Sequence, residues 1–140
     1  MNCLTEISWG IEKLVNLEEF SIGNNNLKLL PAEILKLPKL KTFIANPNPW
    51  MTVDEIEEFN NKQSKEYEMC NLYRFPALED LAHQALVNAN GDDCQKCYCC
   101  AKKFPKPSIS FIQVRNFLFN DNIPFLFSFC SLGCANQFNK

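Results

Sequence analysis

Apolar residues and one asparagine recur at a fixed spacing of 23 residues through the first third of this 140-residue chain. Leu14, Leu17, Phe20, Ile22, Asn25 and Leu27 return as Leu37, Leu40, Phe43, Ala45, Asn48 and Trp50. One step back by the same interval, Asn2, Leu4, Ile7 and Ile11 match Asn25, Leu27, Leu30 and Ile34. A period of this length is a strong constraint, because a unit so short cannot bury its own apolar face and must stack on its neighbours. The chain is therefore expected to open in mid-repeat, with an edge covered by a partner or belonging to a longer array.

The pattern is that of leucine-rich repeats, written here as LEEFSIGNNNL and LKTFIANPNPW, with LPAEIL as the return segment. Each repeat predicts one short parallel strand. Asn25 and Asn48 are expected to satisfy backbone groups where the chain leaves the sheet, as buried peptide groups require partners. Glu18, Glu19, Ser21, Lys41, Thr42 and Ile44 then fall on the solvent face, the surface on which a protein partner is expected, with Glu18 and Lys41 side by side.

Charge divides the chain further. Residues 1–50 balance to zero, residues 51–93 carry a net −7 and residues 94–140 a net +5. Three segments are expected: a partial repeat solenoid (1–50), acidic connecting helices and linker (51–93), and a cysteine-rich module (94–140). In the middle segment Thr52 and Glu55 have the spacing of a capping box, predicting a helix over 53–61, after which the polar run NNKQSKEYE reads as a solvated linker or an extension of that helix. Pro76 opens a second helical pattern in which Leu78, Leu81, Ala82, Ala85 and Leu86 share a face. His83, the sole histidine, falls on its other side.

The last segment holds Cys94, Cys97, Cys99, Cys100, Cys130 and Cys134, while Cys3 and Cys70 lie apart and are expected to behave as small apolar side chains. Clustered thiols in a chain without a recognisable secretory leader suggest metal binding, in a cytoplasmic or nuclear protein, because a reducing compartment disfavours structural disulfides. Structural zinc takes four ligands, with pairs often supplied by C-x2-C knuckles. Two such knuckles overlap here, Cys94 with Cys97 and Cys97 with Cys100. Cys130 and Cys134 supply the second pair at the start of a predicted helix. Between the pairs, SISFIQV and IPFLFSF alternate as strands, with a turn expected at 120–122. The order is knuckle, hairpin, helix.

FCSLGC followed by Phe138 resembles the FCS class of zinc fingers, and the whole arrangement is similar to a eukaryotic family of leucine-rich-repeat proteins that end in this module. That resemblance implies an α/β leucine-rich-repeat fragment followed by helices and a small zinc-stabilised α+β treble-clef-like module. The C-G-x-x-F pattern of such modules matches Cys100-Ala101-Lys102-Lys103-Phe104, with alanine for glycine. It thereby implies Cys97, Cys100, Cys130 and Cys134 as ligands of a structural Zn2+, with Cys94 and Cys99 as alternates. Ala77, Leu78, Ala82 and Leu86 are similar to an elongin-binding box with alanine in place of cysteine at 82, and the family resemblance implies ubiquitin-ligase machinery as a partner.

Catalytic patterns are missing from the sequence. It has one histidine, four glycines, no G-x-S-x-G and no phosphate-binding glycine loop. A non-enzymatic interaction adaptor is the expected function. Two alternatives carry distinct signals: a nucleic-acid-binding module through Lys96, Lys102, Lys103, Lys106 and Arg115, which an overall pI near 5.4 opposes, and soft-metal sensing or transfer through Cys94 and Cys99.

Overall fold

The 23-residue periodicity corresponds to a parallel pairing with the same offset. In a computed structural model that describes residues 2–72, 95–101, 103–104 and 109–138, strand β1 (Glu19–Ser21) lies parallel to strand β3 (Thr42–Ile44). Glu19 is level with Thr42, Phe20 with Phe43 and Ser21 with Ile44. Alternation along the strands sends Ile22, Phe43 and Ala45 into the interior and leaves Glu19, Ser21, Thr42 and Ile44 in solvent. The Phe20 and Phe43 rings stack with centroids 5.9 Å apart.

Side-chain amides carry the chain out of this sheet. The Asn25 Oδ1 accepts from the Leu4 N–H at 3.2 Å, and the Asn48 Oδ1 accepts from the Leu27 N–H at 3.1 Å, one repeat later. Asn48 Nδ2 donates to the Ile22 and Ala45 carbonyls, while Asn25 Nδ2 donates to those of Ile22 and Gly23. These are the backbone contacts expected of the two asparagines. Gly23 has a separate reason: a Cβ there would stand 2.5 Å from the Asn46 carbonyl oxygen, closer than any side chain tolerates.

The return segments are 3-10 turns, Trp9–Lys13 and Ala32–Lys36. The second buries Ala32 and Ile34, and with them Glu33, only 4% exposed. Burial raises the Glu33 carboxyl above its ordinary range; its own backbone N–H and Lys36 oppose the rise, whereas Glu12 adds to it. Leu27, Leu30, Ile34, Leu37 and Phe43 are buried side chains of this part of the chain.

Helix α1 (Val53–Leu72) starts at the predicted capping box, the Glu55 N–H donating to Thr52 Oγ1 and the Thr52 N–H to Glu55 Oε2 at 2.8 Å. It continues well past residue 61, so the polar run expected as a linker is helical instead. The second helical pattern, with Leu78, Ala82, His83 and Leu86, lies outside the described residues.

Strand β2 (Leu30–Pro31), strand β6 (Ile109–Phe117) and strand β7 (Asn120–Phe129) form a sheet in the order β2-β7-β6. β2 runs parallel to β7, with Leu30 level with Phe125 and Pro31 with Leu126. The turn between β6 and β7 falls at Leu118-Phe119 rather than at 120–122. Both residues have positive φ, 45° and 67°, the signature of a two-residue hairpin turn that Asn-Gly would normally occupy. Asn120 explains the shift, since its Nδ2 donates to the Phe117 and Leu118 carbonyls and thereby closes the turn from the strand side. The same amide group donates to the Phe43 carbonyl at 2.7 Å, and its Oδ1 accepts from the Ala45 N–H at 3.2 Å. One side chain thus bonds the outer edge of β3 as the peptide group of a neighbouring strand would.

Two compact units account for the chain, Met1–Glu57 with Ile112–Phe127, and Glu58–Phe111 with Ser128–Lys140. This division departs from the three charge segments, because 112–127 group with the N-terminal residues. Among the described residues no helix is long and apolar enough to cross a membrane.

Candidate metal centre

The knuckle begins with a short antiparallel pair, strand β4 (Gln95–Lys96) and strand β5 (Lys103–Phe104), in which Gln95 is level with Phe104 and Lys96 with Lys103. The chain turns back through residues 97–101, the Ala101 N–H donating to the Cys97 carbonyl at 3.0 Å. Ala101 has φ of 60°, a left-handed conformation that costs any residue with a Cβ. In the C-G-x-x-F pattern that this stretch resembles, the position is glycine.

Cys130 follows β7, and Cys134 sits in helix α2 (Leu132–Phe138). Ser131 is the N-cap: its Oγ accepts from the Cys134 N–H at 3.3 Å and its carbonyl from the Ala135 N–H. The serine of FCS therefore sets the geometry by which Cys134 faces Cys130. The Tyr98 N–H donates to the Ser128 carbonyl at 2.9 Å, and the Tyr98 ring lies edge-on to Phe129 and Phe138, with centroids 6.5 and 5.4 Å away. Phe129 and Phe138 are themselves 5.4 Å apart. These three rings give the module an aromatic core, and Tyr98 is a member that the sequence reading missed; its position inside the knuckle was the available signal.

The result is a cluster. The sulfurs of Cys97, Cys100, Cys130 and Cys134 all lie within 4.8 Å of one another, close enough to hold a metal ion. Cys100 Sγ is 3.6 Å from Cys130 Sγ, which is 3.7 Å from Cys134 Sγ. Cys97 is fully buried, Cys130 and Cys134 are partly so, and Cys100 is exposed. Cys99 is exposed and points elsewhere, its thiol 3.7 Å from Gln137 Oε1. Cys94 lies outside the described residues.

The thiols differ electrically. Burial works against ionising Cys97, but the backbone N–H groups of Cys100, Cys130 and Cys99 converge on its sulfur and pull it down to about 7. Burial pushes the Cys130 thiol up, and hydrogen bonds among the Cys100, Cys134 and Cys97 thiols push it further. The two environments therefore push in opposite directions, favouring the thiolate at Cys97 and the thiol at Cys130.

The residues expected to meet a protein partner, Glu18, Glu19, Ser21, Lys41, Thr42 and Ile44, are all exposed. Lys41 Nζ stands 3.3 Å from Glu18 Oε2. Among the basic residues of the C-terminal segment, Arg115 lies over the Phe127 ring at 4.8 Å and donates to Gln113 Oε1; Lys102 and Lys106 lie outside the described residues. Cys3 is exposed rather than buried as a small apolar side chain. No family model, curated protein or solved structure matched this chain.

Proposed function

We propose that the chain is a non-enzymatic protein-interaction adaptor in which a leucine-rich-repeat surface is joined to a treble-clef-like module held by one structural zinc ion. The convergence of four thiols carries this reading. A tetrahedral site with zinc–thiolate bonds of about 2.3 Å needs sulfurs ~3.8 Å apart, and the separations of 3.6 and 3.7 Å are close to that value. An all-sulfur donor set suits zinc, and four protein ligands leave no position open for water. Zinc bound there supplies cohesion rather than reactivity. The repeat reading is supported by the 23-residue offset shared by the strand register, the Phe20–Phe43 stack, the Lys41–Glu18 pair and the Asn25 and Asn48 hydrogen bonds.

Metal analysis of the purified chain tests the proposal. One zinc per chain is expected, lost with Cys130→Ser and retained with Cys99→Ser. Loss with both, or with neither, would mean a different ligand set. A reducing compartment, cytoplasmic or nuclear, is part of the same proposal, since the ligands must remain thiolates. Recruitment of ubiquitin-ligase machinery is its most specific extension, tested by whether Leu78→Asp abolishes capture by elongin-type adaptors.

A further inference from the structure

The hairpin tip presents a side chain that folding does not explain. Phe119 is completely exposed, at 104% of its reference area. It occupies the second central position of the turn with φ of 67°, where glycine would be free of strain, and Leu118 before it is also left-handed. Neither conformation nor burial favours phenylalanine here, and strained, exposed residues of this kind concentrate at binding sites.

Its surroundings form a site. Phe119, Leu118 and Asn120 on the tip, with Thr42 and Ile44 of β3 and Lys41 just before it, line a groove of about 350 Å³. Ile44 is 51% exposed although it is a large aliphatic residue. The floor is fixed, because Asn120 bonds the Phe43 carbonyl and the Ala45 N–H. Among the residues lining it Lys41 alone is charged, and its bond to Glu18 joins two exposed side chains in water, a pairing weak enough to be exchanged for a better one.

We infer that this groove is the docking centre of the adaptor surface, and that it takes an extended segment of another protein in which an aliphatic or aromatic side chain stands beside an acidic one. The apolar side chain lodges between Phe119 and Ile44, and the carboxylate meets Lys41. The inference rests on the adaptor reading and adds the hairpin tip, which no repeat pattern contains. At the small end of ligand clefts, about 300–1,000 Å³, and with one wall standing in solvent, the groove suits a single anchoring side chain.

Selection of a displayed random-peptide library on the full, zinc-loaded chain tests this. Enriched peptides should place Leu, Ile, Met or Phe next to Asp or Glu, and bind Phe119→Gly about tenfold or more weakly. Phe119→Gly should melt at the same temperature as the parent or higher, since glycine relieves the left-handed turn, so weakened binding cannot be ascribed to unfolding. Lys41→Glu should turn the preference from acidic to basic neighbours. Enriched peptides that bind Phe119→Gly as well as the parent would overturn the groove and leave the adaptor reading standing. No enrichment at all would overturn both, and sedimentation as a dimer that Phe119→Gly abolishes would overturn the inference in favour of a second copy of the chain.

Discussion

The N-terminal segment and the cysteine module hold their turns together by opposite means. In the N-terminal segment Asn25 and Asn48 bond the backbone as the chain leaves the sheet, and Asn120 of β7 bonds the edge of β3, so the stabilisation is spread over many modest bonds. In the module the thiols of two local pairs, 30 or more residues apart, converge on one point, where the proposed zinc would concentrate the cohesion. A distributed design degrades by increments, whereas a concentrated one fails at once.

Removing the proposed zinc is the harshest way to break that comparison. Structural zinc in small finger peptides contributes roughly 10–16 kcal/mol of binding free energy near neutral pH, more than such a module can replace from three aromatic rings. Chelation, or Cys130→Ser, is expected to abolish hydrogen-exchange protection at the Tyr98, Ala101 and Ala135 amides while the Ile22, Asn24 and Leu27 amides stay protected. Equal loss in both sets would show that the two regions do not differ in this way.

Next in size is an attack on the distributed side. Asn48→Ala leaves the Leu27 N–H and the Ile22 and Ala45 carbonyls without that partner. An unsatisfied buried polar group costs about 1–3 kcal/mol, and water reaches part of this site, so a loss of about 3 kcal/mol in denaturant unfolding is expected. Zinc content should not change. Gly23→Ala should cost a comparable amount, about 1–3 kcal/mol, because the obstructing atom is the Asn46 backbone oxygen and cannot rotate away.

These sites also show how much the sequence discloses. Periodicity exposed Asn25 and Asn48 because the same local need recurs every 23 residues, and spacing exposed the four thiols because a knuckle and a helical turn are local geometries. The capping box at Thr52 and Glu55 is local as well. Asn120 has no such signal. Its role depends on the outer edge of β3, 75 residues earlier for its bond to Ala45, and its polar neighbours suggested a turn where a strand begins. Leu118-Phe119 was equally obscure, since nothing in that pair resembles a hairpin turn. The burial of Glu33 follows from the stacking of a 3-10 turn rather than from its own side chain.

A smaller effect runs in the stabilising direction. Ala101→Gly removes the cost of a Cβ in the left-handed region, about 1 kcal/mol, at the residue where the knuckle closes on Cys97. The expected outcome is slower zinc loss to a competing chelator. Unchanged or faster loss would mean that the side chain is accommodated without strain.

The gentlest test uses pH, to which the two regions should respond with opposite sign. In the module, thiolate ligation of the proposed zinc would displace protons, and burial raises the Cys130 thiol, which adds to that cost. Below the Cys97 value of about 7 that sulfur also takes a proton, and zinc affinity falls as pH falls. Glu33 behaves in reverse. Its carboxyl is raised in the folded chain above the ordinary 4.5, so the folded form binds the proton more tightly and ionisation at neutral pH costs stability. That cost fades as pH drops through the raised value and is gone below about 4.5. Glu33→Gln should therefore melt slightly higher than the parent at pH 7, and the advantage should vanish on acidification. Comparing the variant with the parent at each pH cancels the exposed carboxylates, such as Glu55, whose pKa the Thr52 N–H and Lys28 lower and whose contribution is lost in acid. A difference that persists unchanged to pH 4 would assign the gain to packing rather than charge, and would remove Glu33 from the electrostatic side of the contrast.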